Sequence, residues 1–486
     1  MNSSPSSISR RRFLGQASCA AVTSIPILNT LLNLRLAQSV AAVTAPASGE
    51  YRALVCLFLA GGNDSFNMLA PFSGPSPTAA DSYAEYSASR SNLALLKSSN
   101  QLLEIHPLNT PGRTFGVHYG MPEVANLFET GHAAFVANVG TLIEPVMNRT
   151  QVQQNLKRLP LGLYSHSDQI EQWQTSVPHA RSGIGWGGRM VDLIKDLNAN
   201  QIVPMQISLD GSNVWQTGNT VAEYTITPNG ATALAGYNAA WTQFQDLRNA
   251  MSAAVDNQLA QQYNNLLAQT FNNRKKQALD AYQAFAAATA PPLPNGVTFP
   301  NTFVGNRLKM VAQAIQGRAA LGAVRQTFFV QWGGWDHHDN VLDNQAAMLP
   351  QVSAAIGAFY NALVAIGIEN NVTLFTASDF GRTLTSNSRG SDHAWGSNQL
   401  VVGGAVNGQK IFGQYPSLAL NPDSGPEANA LDTGRGRFIP TTSCDEFFAE
   451  LALWLGVSGS NLPLVLPNIG NFYSTSSGNA PVGFLS

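Results

Sequence analysis

Charge is scarce in this chain. Of its 486 residues 12% are Asp, Glu, Lys or Arg, roughly half the ~25% usual for soluble proteins, and 27 basic residues stand against 29 acidic ones. Disorder driven by charge is excluded, and so is a nucleic-acid binder relying on a broad basic field. Cysteine is scarcer still. Cys19, Cys56 and Cys444 are too few for a disulfide scaffold and lack the spacing of zinc-binding cysteine pairs. No Gly-x-Ser-x-Gly elbow occurs, which argues against an α/β-hydrolase. What remains is ample apolar sequence, 44% of the chain, enough for one large α/β domain with insertions or two of ordinary size.

The first 45 residues hold Arg10, Arg11, Arg12 and Arg35 but no lysine and no acidic residue. Ser9-Arg10-Arg11-Arg12-Phe13-Leu14 fits the twin-arginine export pattern, and the stretch from Leu14 to about Leu36 is too polar and broken to span a bilayer. Small residues from Ser39 to Ala45 offer cleavage sites. The sequence therefore predicts a signal peptide over 1–45, a periplasmic or secreted product with no stable membrane span, and one α/β domain over 46–486. Removing the four arginines leaves 23 basic against 29 acidic residues.

Short apolar runs alternate with helical patterns along the mature chain, as in a sheet flanked by helices. Ala53 to Ala60 is continuously apolar, as a central strand covered on both faces must be, and Cys56 within it reads as a core residue. Further strands are expected at 133–139, 202–207, 327–331, 372–377 and 400–402, and helices at 121–130 and 343–366. An Ala/Gln/Asn-rich stretch predicts a helical insertion over about 231–290.

In open parallel sheets ligands bind at the carboxyl ends of strands. Three expected strands end in polar clusters: Gly61-Gly62-Asn63-Asp64-Ser65; Trp332-Gly333-Gly334-Trp335-Asp336-His337-His338-Asp339; and Ser378-Asp379-Phe380-Gly381-Arg382, followed by Asp392-His393. Carboxylates and imidazoles converging from separate loops are what a divalent cation such as Zn, Mg or Ca requires. Singly, each Asp reads as a turn former or helix cap.

With Gly434-Arg435-Gly436-Arg437-Phe438-Ile439-Pro440-Thr441-Thr442, these segments resemble the exported bacterial proteins called domain of unknown function 1501, from about Tyr51 to Val457. That family resembles a branch of the alkaline phosphatase and sulfatase superfamily. The resemblance implies an alkaline phosphatase-like α/β fold, a central mostly parallel sheet flanked by helices, with two metal ions and a nucleophile at a helix N-terminus. Carried over residue by residue, Asp64 and Asp379 match the carboxylates of one metal, and Asp336, His338 and His393 the set of the other. Phe380 stands where the superfamily often has a ligating His, and the short Asp336–His338 spacing leaves His337 open as the ligand instead. One metal, two or none remain open.

Ser165, opening a helix in Tyr164-Ser165-His166, matches the nucleophile, with a plain N-cap as the alternative. The absence of a Cys for formylglycine lowers the sulfatase reading. Arg189 and Arg382 are candidate oxyanion clamps, since a guanidinium grips two oxygens at once. The expected activity is metal-assisted hydrolysis of a phosphate-type or sulfate-type ester of a small molecule or carbohydrate. The rival is an exported binding protein of the same fold, with Trp186, Trp332, Trp335 and Trp395 stacking on sugar faces.

Overall fold

The alternation along the strand at Arg52–Leu59 sets up the layers of this computed structural model. Ala53, Val55, Leu57 and Leu59 face one core, and Leu54, Cys56 and Phe58 the other. The structure describes residues 50–198, 202–238, 243–422 and 427–486, so the expected leader lies outside the described residues. In chain order the strands are β1 (Arg52–Leu59), β2 (Leu69–Ser73), β3 (Leu102–Ile105), β4 (Thr114–His118), β5 (Ala133–Gly140), β6 (Gln206–Ser208), β7 (Tyr224–Thr225), β8 (Arg325–Trp332), β9 (Val372–Ser378), β10 (Ser397–Val402), β11 (Lys410–Gly413) and β12 (Thr442–Ser443).

The main sheet runs β11-β5-β10-β9-β1-β8-β6-β7, with β12 also on β5. Its pairings are parallel except for β10, which is antiparallel to both β5 and β9. β2, β4 and β3 form a small antiparallel sheet beside it. The fold class is thus α/β, a central mostly parallel sheet flanked by helices. Each expected strand has a counterpart, whereas the small sheet and the short strands β7, β11 and β12 lacked an apolar run long enough to announce them.

Helices Phe303–Gln316 and Val341–Ile366 cover one face through Val304, Leu308, Val311, Val352, Ile356 and Phe359, and helices Trp186–Ile194 and Cys444–Leu455 cover the other through Trp186, Met190, Phe448 and Leu451. Each such side chain contributes about 1.5–3 kcal/mol by leaving water. Val341–Ile366 is long and apolar enough to cross a membrane, but its apolar residues are spent on this core. The Ala/Gln/Asn-rich stretch holds helices Gln245–Ala260 and Leu266–Thr289, the second anchored in the core by Ala281, Phe285 and Ala288.

Register fixes the geometry that matters for function. Leu59 of β1 pairs with Trp332 of β8 and with Ser378 of β9. The three strands end level, so their loops start side by side.

Candidate metal centre

Two glycines let those loops meet. Gly61 has φ +125°, and a Cβ there would lie 2.4 Å from the Asp336 nitrogen; Gly62 has φ +81°, and its Cβ would strike the Phe380 ring at 2.6 Å. Only a residue without Cβ lets the chain pass so closely in that conformation. The crossing is stapled by hydrogen bonds. Gly61 N–H donates to Asp379 Oδ1 (2.9 Å), Asn63 N–H to Ser378 Oγ (2.8 Å), and the Ser378 hydroxyl to Leu59 O (2.6 Å).

Asp336, half out of the surface, is the hub of what gathers there. Its Oδ1 lies 3.1 Å from His338 Nε2 and 3.3 Å from His393 Nε2, and those two nitrogens are 2.9 Å apart. His166 Nε2 is 3.4 Å from Asp336 Oδ2. The donor atoms of His166, Asp336 and His393 all lie within 4.8 Å of one another.

The opposite nitrogen of each ring decides its protonation. His166 Nδ1 faces Asp379 Oδ2 (2.7 Å), His338 Nδ1 faces Asp392 Oδ1 (3.1 Å), and His393 Nδ1 faces the Tyr164 carbonyl (2.8 Å). Carboxylates and carbonyls only accept, so each Nδ1 carries a proton and each ring turns its Nε2 to the cluster. His166 Nε2 is buried with no hydrogen-bond partner. Phe380, fully buried, walls the site with its ring centroid 4.8 Å from that of His166 and 4.5 Å from that of His393.

Burial pushes the His393 pKa down despite the bond to Tyr164, which keeps the ring neutral. The hydrogen bond to Asp379 raises that of His166 against desolvation. Desolvation pulls Asp336 upward, but the hydrogen bond and charge of Arg382, with His338 and His166, outweigh it and hold the carboxyl below its usual range. Asp392, likewise pulled upward by burial, is brought down to about 2 by Asn387, Arg435 and His338.

The order of motifs that shapes this site is matched over residues 51–430 by the family model described as "Protein of unknown function (DUF1501)". The chain belongs to the DUF1501 family. No curated protein matches this DUF1501 chain. Solved structures similar to it include the PsFucS1 sulfatase from Pseudoalteromonas sp., at 9% identity and TM-score 0.31, covering 88% of this chain and 71% of that one. Ps i-CgsB is similar at 12% identity and TM-score 0.30, covering 87% of this chain and 77% of its own, with the same figures for its complex with k-i-k-neocarrahexaose.

Of the five expected ligands of this DUF1501 chain, the structure brings Asp336, His338 and His393 together. Asp379 stands behind them, holding His166. Asp64 does not join them: it is wholly buried and ion-paired to buried Arg90 at 2.5 Å, with the Ser391 hydroxyl 3.3 Å from the same Oδ2. His337 points inward, with neither ring nitrogen hydrogen-bonded, so His338 is the ring that faces the cluster.

The clamp assignments are corrected. Arg189 gives its N–H groups to the carbonyls of Val465, Ile184 and Thr175, behind the sheet, because two helix ends and a loop leave acceptors there. Arg382 is buried and spends its guanidinium on Asp336 (2.7 Å) and the Ser391 carbonyl (2.7 Å). Ser165 precedes the helix His166–Thr175, makes no side-chain cap, and bonds Asp168 (2.6 Å) and Ser167 (3.2 Å). Trp186, Trp335 and Trp395 are core residues, leaving Trp332, stacked on Phe303, as the one of the four with exposed ring surface.

Sequence reasoning passed over Arg90, Asp392 and Arg435, and named His166 only as the neighbour of Ser165. Asp392 and Arg435 lie inside the quoted motifs. Arg90 ends the helix Ser82–Arg90 and carries no motif at all.

Proposed function

We propose that this chain is an exported, metal-dependent hydrolase of phosphate-type or sulfate-type esters. The observation that carries the reading is the convergence of His338 Nε2, His393 Nε2 and Asp336 Oδ1 at 2.9, 3.1 and 3.3 Å, with the Nδ1 of each ring already committed to an acceptor. With each Nδ1–H spent on its acceptor, the Nε2 atoms, once deprotonated, turn their lone pairs toward a shared metal ion. The 2.9, 3.1 and 3.3 Å edges of the His338, His393 and Asp336 triangle place the three donors close enough to share one ion. A divalent metal held there would supply Lewis acidity to the ester oxygens and the leaving group.

The chain's own residues do the rest. Arg382 fixes the Asp336 carboxylate, while Asp392 and the Tyr164 carbonyl orient the two imidazoles. Ser165 shares its hydroxyl hydrogen with Asp168, which favours water as the attacking group. His166 stands ready to take that water's proton on Nε2, and Asp379, bonded to Nδ1–H, stabilises the resulting imidazolium. Arg435, partly exposed and paired to Asp392 at 2.7 Å, gives the mouth a guanidinium for an anionic ester. Export rests on Arg10-Arg11 with Phe13-Leu14. Replacing both arginines with lysine should hold the precursor in the cytoplasm, and normal export of that variant would refute the route.

The hydrolase reading is tested on protein purified without a polyhistidine tag, with 4-nitrophenyl phosphate and 4-nitrophenyl sulfate. Turnover should vanish with a chelator, return with zinc or manganese, and fall by about 100-fold or more in His393→Ala. Turnover indifferent to both would sink it.

A further inference from the structure

The geometry points to a centre that takes a single zinc-class ion, with the guanidinium of Arg90 standing permanently in the place of a second. This inference rests on the hydrolase reading for the first ion and goes beyond it in number and kind. A two-metal centre needs a second set of free donors about 3.5–4 Å from the first ion. The carboxylates available for that set are Asp64 and Asp379. Asp379 is spent, Oδ1 on the Gly61 N–H at 2.9 Å and Oδ2 on the His166 Nδ1–H at 2.7 Å. Asp64 Oδ2 is held by Arg90 at 2.5 Å and approached by the Ser391 hydroxyl at 3.3 Å. Asp64 Oδ1 alone is left without a partner, and one buried oxygen does not bind an ion.

Arg90 is built in rather than lying by. Its Nη1 donates to the carbonyls of Thr383 (3.0 Å) and Leu384 (3.3 Å), and its side chain is wholly buried. A guanidinium cannot lose its proton at any accessible pH, so the positive charge beside Asp64 is fixed.

Charge leads to the same number. Asp64, Asp336 and Asp392 each have their own guanidinium, on Arg90, Arg382 and Arg435, and Asp379 has none. One carboxylate of the set is thus left without a guanidinium, which matches one external cation rather than two. Donor chemistry selects the ion. Two imidazole nitrogens and one carboxylate oxygen, with His166 Nε2 nearby, suit zinc and its transition-metal neighbours, whereas magnesium and calcium prefer all-oxygen sites.

The test is metal content, read without any assay of activity. Tag-free protein is saturated with zinc, desalted and measured by elemental analysis beside Asp64→Asn/Arg90→Met, which removes both charges of the buried pair together, and His338→Ala. The expected contents are one zinc per chain in the wild type, one in the double variant and less than a tenth in His338→Ala. Two ions in the wild type overturn the inference, and so does a folded double variant that holds less zinc than the wild type. The wild-type count decides even if the double variant fails to fold. Retention of no zinc refutes the hydrolase reading itself, which distinguishes the two failures.

Discussion

Asp64 and Asp336 both follow strands that end level at one edge of the same sheet, yet their surroundings differ in kind. The Asp64 side chain is 0% exposed and meets the equally buried Arg90. Asp336 is 42% exposed and faces three imidazoles, each with its Nδ1 already committed. At one position a guanidinium buried with the carboxylate closes it off. At the other Arg382 holds the carboxylate from behind, and the imidazoles still gather on its open side. Whether a carboxylate at a strand end is closed or open is therefore decided by its neighbours, and the neighbours come from elements distant in sequence.

The largest effect should come from breaking the closed end. Arg90→Met leaves Asp64 as an uncompensated buried charge and should cost about 3–5 kcal/mol. Urea unfolding measures it, and adding Asp64→Asn should recover most of the loss. A single variant as stable as wild type would mean that Asp64 is already neutral or solvated.

At the open end, Asp392→Ala removes the acceptor that orients His338 Nδ1. Zinc affinity by isothermal titration should drop about 10–100-fold with little change in stability, and an unchanged affinity would show that the ring needs no such support.

A third carboxylate sharpens the contrast. Asp445 is buried behind the sheet near Arg189, but makes no ion pair among the described residues, because the Arg189 N–H groups are spent on backbone carbonyls. Burial pushes its pKa up to about 7 against the pull of Ser176 and Arg189. The folded state then holds a proton that the unfolded chain releases near pH 4, so stability contributed by this group declines as pH rises from about 4 to 7 and stays low above that. Asp445→Asn should melt about 1–3 °C above wild type at pH 8 and lose that advantage at pH 4. A difference constant across pH would contradict this.

The smallest effect belongs to Ser165. Ser165→Ala loses the bond to Asp168, worth about 0.5–1.5 kcal/mol, and should leave zinc content and turnover intact. Loss of turnover with zinc retained would restore the serine as nucleophile.

Much of this edge was legible in the sequence. Ala53 to Ala60 is a continuous apolar run, 327–331 and 372–377 are mostly apolar, and the polar residues that end them had to emerge at the carboxyl edge. That His338 rather than His337 faces the cluster was not legible, because a doublet in a loop has no period to orient it. Arg90 was hidden for another reason: it lies at the end of a polar helix, and only tertiary packing carries it under Asp64. His166 was masked by its neighbour, since Ser165 has the residue type expected of a nucleophile, while the backbone turns the next side chain toward Asp379.

The most direct measurement is an anomalous difference map from crystals of the protein soaked in zinc and collected at the zinc absorption edge. The account predicts one strong peak within bonding distance of His338 Nε2, His393 Nε2 and an Asp336 oxygen, with Arg90 still on Asp64. No peak at that triangle, or a peak against Asp64, would contradict it.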